Sequence, residues 1–177
     1  MSWIGVITNA GQAVLERWSS GDHTLTIDGA TVGSGYVEEA NMRIATDLAH
    51  TEDSASIVRA EEITDGTRFK VQIGAAETTA YTAHEVGLWA HLDNENSVLL
   101  SLHQDATGGI PVPAQSVSPD FAFSMYIVHA IVNDGSLSIT VDTSAYVSMS
   151  SLVETAPTVE LTDDEVVSIY ATAPVLA

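Results

Sequence analysis

The chain has 177 residues, 45% of them apolar, and a mean hydropathy of +0.17, which is enough to bury a core as one domain and excludes wholesale disorder. Its 24 acidic and 5 basic residues give a formal net charge of −19, so nucleic acid and anionic membrane surfaces are disfavoured as partners, both requiring clustered cations. Cysteine is absent, which removes disulfides, thiolate zinc sites and cysteine nucleophiles.

No apolar run approaches the roughly 20 residues of a membrane span, and the start Met1-Ser2-Trp3-Ile4-Gly5 lacks the basic stretch of a Sec-type signal. Such acidity, with Lys70 the single lysine, also fits a halophilic habitat. The spread of the carboxylates and the apolar content favour an ordinary acidic protein that keeps its fold in dilute buffer.

Thr8-Asn9-Ala10-Gly11-Gln12 has the spacing of a capping box, with Asn9 as the cap and Gln12 reaching back. A helix follows, with Ile7, Ala10, Ala13, Val14 and Trp18 near one face and Gly21 as its end. Leu25 and Ile27 alternate with Thr24 and Thr26 as in a strand, until Gly29, Gly33 and Gly35 break the run. Residues 38–50 are ambiguous, with Met42, Ala45 and Leu48 at roughly helical spacing.

Beyond Ser54 the period becomes two. Ile57 to Ile63 and Arg68 to Ile73 form a hairpin through Thr64-Asp65-Gly66. A second pair joins His84, Val86, Leu88, Ala90 and Leu92 to Val98, Leu100 and Leu102 through Asp93-Asn94-Glu95-Asn96. The third runs through Phe121, Phe123, Met125, Ile127, His129 and Ile131, turns at Asn133-Asp134-Gly135 and returns through Leu137, Ile139 and Val141. Three hairpins and one helix predict an α+β fold, mainly antiparallel β, with a sandwich-like sheet.

The loop 105–119 is too proline-rich for a central strand. Residues 153–177 read as a connecting or interaction tail, in which the possible capping box Thr162-Asp163-Asp164-Glu165 conflicts with the strand propensity of Val166, Val167, Ile169 and Tyr170.

No residue set points to catalysis. His84 and His129 fall on apolar faces and could approach each other, which is read as two hydrogen-bonded core histidines rather than a metal site. Gly33-Ser34-Gly35 is a turn and not a phosphate loop, since no lysine follows, and G-x-S-x-G is absent. Glu38-Glu39, Glu61-Glu62 and Asp163-Asp164 offer carboxylate pairs of the kind used in glycoside hydrolysis, but adjacent like charges mark solvated edges. Trp89 lies on the face opposite Leu88, where packing under a loop or a subunit contact is favoured over a sugar platform.

Four segments in order carry a resemblance. Ser2-Trp3-Ile4-Gly5-Val6-Ile7-Thr8-Asn9-Ala10-Gly11, Gly29-Ala30-Thr31-Val32-Gly33-Ser34-Gly35, Glu85-Val86-Gly87-Leu88-Trp89 and Leu137-Ser138-Ile139-Thr140-Val141-Asp142-Thr143 resemble the N-terminal region of phage tail-collar fibre proteins. The match covers roughly residues 1–152.

The resemblance implies a non-enzymatic virion structural protein located in the tail, whose residues 1–152 anchor a homotrimeric fibre to baseplate proteins during host attachment. No cofactor and no metal are implied. The shaft and receptor-binding tip of such fibres are absent from these 177 residues, so a longer distal fibre protein is a further expected partner. Trp3, Ile4, Val14 and Trp18 are the expected docking residues or the core beneath them, and Val166, Val167, Ile169 and Tyr170 the expected oligomer or fibre contact. Removal of residues 1–8 is expected to leave a folded body that no longer enters particles. The alternatives are a carbohydrate- or receptor-binding module at the tail tip and a hydrolase using paired carboxylates.

Overall fold

The computed structural model describes residues 3–64, 66–129 and 136–139, with the backbone alone for Glu62 and for 136–139. In chain order the elements are β1 (Ile4–Ile7), α1 (Asn9–Ser20), β2 (Thr24–Gly33), a 3-10 turn (Glu39–Ile44), β3 (Thr51–Ile63) and β4 (Gly66–Gly74). There follow β5 (Tyr81–Ala83), β6 (Glu85–Leu92), β7 (Val98–Gln104), β8 (Ile110–Val112), β9 (Ala122–His129) and β10 (Ser136–Ile139). All belong to one compact unit, residues 1–145. The expected boundary at 152, the turn 133–135, the tail 153–177 and its contact residues Val166, Val167, Ile169 and Tyr170 lie outside the described residues.

Among the described residues the fold is mainly antiparallel β with one α-helix. One sheet has the order β1-β7-β6-β2-β3-β4-β9, and β5 and β8 form a separate two-stranded sheet. The first two expected hairpins are present as β3–β4 and β6–β7. The third is not: β9 pairs with β4, whereas β10 runs parallel to β2, aligning Ser136 with Thr24 and Ile139 with Ile27. The alternation of Phe121 to His129 could not reveal this, because period two reports a face and never a neighbour.

The sheet curls until the inner face of β9 meets that of β7, where Ser101 and His129 are hydrogen-bonded across six strands. Leu25, Ile27, Phe69, Val71, Leu88 and Leu92, all wholly buried, fill the space between. Four bulges accompany this curl, one of them with Glu52 as the extra residue opposite Val32 and Gly33. Asp28, Val58 and Leu100 are each the extra residue where a register shifts, so β2 buries Leu25 and Ile27 before its bulge and Ala30 and Val32 after it. Gly29 therefore lies within β2 and does not end it. In β7 the bulge moves Leu102 to the outer face with Leu99, correcting the expectation that Val98, Leu100 and Leu102 share a side.

The helix starts one residue earlier than its sequence suggests. Thr8, not Asn9, is the cap: its hydroxyl accepts the Gly11 N–H at 3.0 Å and donates to the Leu99 carbonyl, while its own N–H donates to the Leu100 carbonyl at 3.1 Å. The capping box loses because Thr8 is wholly buried and bonds helix and bulged strand together. Gly11, Val14 and Trp18 form the buried stripe, and Ala13 is exposed. A Cβ on Gly11 would collide with the Leu100 backbone. Gly11→Ala should therefore lose about 1–3 kcal/mol to overpacking, more than the roughly 1 kcal/mol that alanine gains in a helix. A thermal melt checks this, and a rise in the midpoint would mean that the helix is free to lift.

Candidate functional site

Among the described residues β1 is an edge strand, bonded to β7 from Ile4–Gln104 to Ile7–Ser101. Of the four expected docking residues only Ile4 is exposed, at 38%; Trp3 is half-buried against the main core. Val14 and Trp18 are 7% and 3% exposed, so they form the layer beneath the surface and offer no direct contact. The Arg17 guanidinium reaches across to Glu95, 2.8 Å from Oε2, in an exposed pair. That hydrogen bond holds the Glu95 carboxyl below its usual range.

The outer face of β6 and β7 is covered by the segment following β2. Met42 and Leu48 from this segment pack on Leu99, Leu102 and Trp89, a second core of the kind a strand buried on both faces requires. Trp89 is partly buried against this second core and donates its indole N–H to Thr31 Oγ1 of the neighbouring strand at 2.9 Å.

Two buried polar side chains tether this cover. Gln104 donates to the Val37 carbonyl at 2.7 Å and accepts the Val37 N–H at 3.2 Å. Glu85, wholly buried, accepts the Ala49 N–H at Oε2, 2.9 Å, and the His50 N–H at Oε1, 2.8 Å. Gly33 and Gly35 flank that carboxyl group, and a Cβ on either would fall within 2.9 Å of Oε1. The turn Gly33-Ser34-Gly35 is thus shaped around a side chain from another strand. Sequence reading passed over Glu85; its signal was an acidic residue heading the apolar run Val86-Gly87-Leu88-Trp89-Ala90.

The histidines that meet are His103 and His129, not His84 and His129. Their Nε2 atoms each lie 3.0 Å from Ser101 Oγ, and the rings stand edge to face at 5.8 Å. One hydroxyl proton serves one imidazole, so the other must donate to the oxygen. Among the described residues His129 Nδ1 is buried without a hydrogen-bond partner, which favours a bare nitrogen there and the proton on Nε2. Burial pushes the His129 imidazole down to about 4, and burial together with the charge of His129 pushes His103 down to about 3. Ser101 is wholly buried, closed to any substrate in this conformation. His84 instead contacts the Asp105 carbonyl through Nδ1 at 2.7 Å.

Glu38 and Glu39 are exposed on the covering segment, and Glu61 is paired with Arg59 and Arg68. Asp163 and Asp164 lie outside the described residues. Among the described residues no three metal-ligating side chains converge, and no helix is long and apolar enough to cross a membrane. Comparisons with protein families, with curated proteins and with solved structures find no match.

Proposed function

We propose that this chain is a virion structural protein of a phage tail, a short fibre or fibre adaptor that attaches to the baseplate. The observation that carries the reading is spatial. Segments 85–89 and 29–35 pair side by side as β6 and β2, from Gly33–Glu85 to Gly29–Trp89. β10, from the 137–143 segment, lies on the same β2, and β1, from the 2–11 segment, flanks β6 across β7. Four stretches far apart in the chain thus belong to one contiguous framework, which supports reading them together as parts of one anchoring fold.

Mass spectrometry of purified particles tests the proposal. The chain should be present in tails at fixed stoichiometry, and its absence would end the reading. Ile4→Asp is the appropriate docking probe, because removing residues 1–8 would also remove β1 and the helix cap Thr8. The variant should fold normally and be lost from particles; full incorporation would move the dock away from β1. A glycan array separates the alternative, a carbohydrate- or receptor-binding module, which predicts retention on specific glycans.

A further inference from the structure

The five cations of this chain are not evenly placed. Arg59, Arg68 and Lys70 lie together on the outer face of the β3-β4-β9 sheet, where the register aligns Arg59, Lys70 and Tyr126 in one row and Glu61, Arg68 and Val128 in the next. Tyr126 and Val128 are both 55% exposed, and the Arg68 guanidinium stacks 4.9 Å from the Tyr126 ring centre. In a chain of net charge −19, this is a local basic and apolar surface. It borders β9, whose far edge pairs with no strand among the described residues.

The complementary surface is also present. The segment that covers β6 and β7 exposes Glu38, Glu39 and Asp47 against a single cation, Arg43, beside two large apolar side chains, Tyr36 at 43% and Ile44 at 64%. Because the inner faces of β7 and β9 meet at Ser101 and His129, their outer faces point away from each other. The basic surface therefore lies on one side of the unit and the acidic surface on the other.

We propose that these two surfaces bind each other between copies of the chain, head to tail. A symmetric contact of the β9 face with itself would set Arg59, Arg68 and Lys70 against their own copies, and like charges in contact are repelled. A heterologous contact pairs opposite charges and apolar with apolar, and repeats from copy to copy until a ring closes or a row extends. The net repulsion between copies is screened beyond about 8 Å at physiological ionic strength, whereas charges in contact are not. The proposal needs only the fold, so it stands apart from the reading as a virion protein.

Two variants of the full chain test it by analytical ultracentrifugation at tens of micromolar in physiological salt. R59E/K70E spoils only the basic surface and leaves the Arg68–Glu61 pair in place; E38K/E39K spoils only the acidic one. The native chain should self-associate, each variant alone should sediment as a monomer with unchanged circular dichroism, and an equimolar mixture should associate again, since the native pair of surfaces survives at one contact and the two sets of reversed charges attract at the other. A monomeric native chain, a variant that still associates alone, or a mixture that stays monomeric would overturn the proposal. Should R59E/K70E misfold, Tyr126→Ser with Val128→Thr removes the apolar half of the same face and must give the same mixing result. Presence of the chain in particles with any of these failures would leave the virion reading standing while this contact falls.

Discussion

Replacing Glu85 by glutamine should lower the stability of the protein by about 3 kcal/mol, a melting-point drop of about 6–12 °C. The carboxyl group is wholly buried and its two oxygens receive the Ala49 and His50 N–H groups. Glutamine offers one oxygen and turns a second donor toward a donor, so one backbone N–H is left buried and unpaired. Gly33 and Gly35 press on the same group, which leaves little room for the amide to rotate away.

The loss should be local before it is global. His50 and Ala49 amides should exchange faster with solvent, and the fluorescence of Trp89 should shift to the red as Met42 and Leu48 lift from it. A glutamine variant that melts with the native protein would mean that the covering segment is held by Gln104 and its apolar contacts alone.

The second large effect is acid sensitivity. Both imidazoles of the Ser101 cluster are neutral in the fold, with His103 down at about 3 and His129 at about 4, while in the unfolded chain they charge below about 6.5. The unfolded state therefore binds more protons as pH falls from 6.5 toward 4, and stability drops through that window. Going from pH 7 to 5 should remove about 4 kcal/mol from the two groups together, about 1.4 kcal/mol per pH unit for each.

One effect opposes this and is smaller. Relief of the net negative charge requires titrating carboxylates, most of which stay ionised above about pH 5. Chemical denaturation at a series of pH values measures the slope, and H103Q/H129Q should flatten it between pH 6.5 and 5. Parallel native and variant profiles would show that the acid response arises elsewhere.

What the residues settle alone is local. The helix α1, the β3–β4 and β6–β7 hairpins and the face shared by Val86, Leu88, Ala90 and Leu92 follow from period and turn chemistry, because neighbours in sequence determine which side of a strand is apolar. The partial burial of Trp89 against a second core was legible for the same reason: its strand is apolar on both faces, and the second face must be covered.

Contacts between strands were not legible. Alternation places Phe123, Met125 and Ile127 on one face, yet nothing in it selects β4 as the neighbour of β9 or sends β10 to β2. Bulges at Asp28, Val58 and Leu100 reverse the parity of their strands, and the alternation along each strand does not mark where they fall. The curl of the sheet chose His103 over His84 as the neighbour of His129 and brought Glu85 to the glycines of another strand. Each of these is a long-range contact made when the sheet closes on its core, and pairwise contacts of that kind leave no period in the sequence to read.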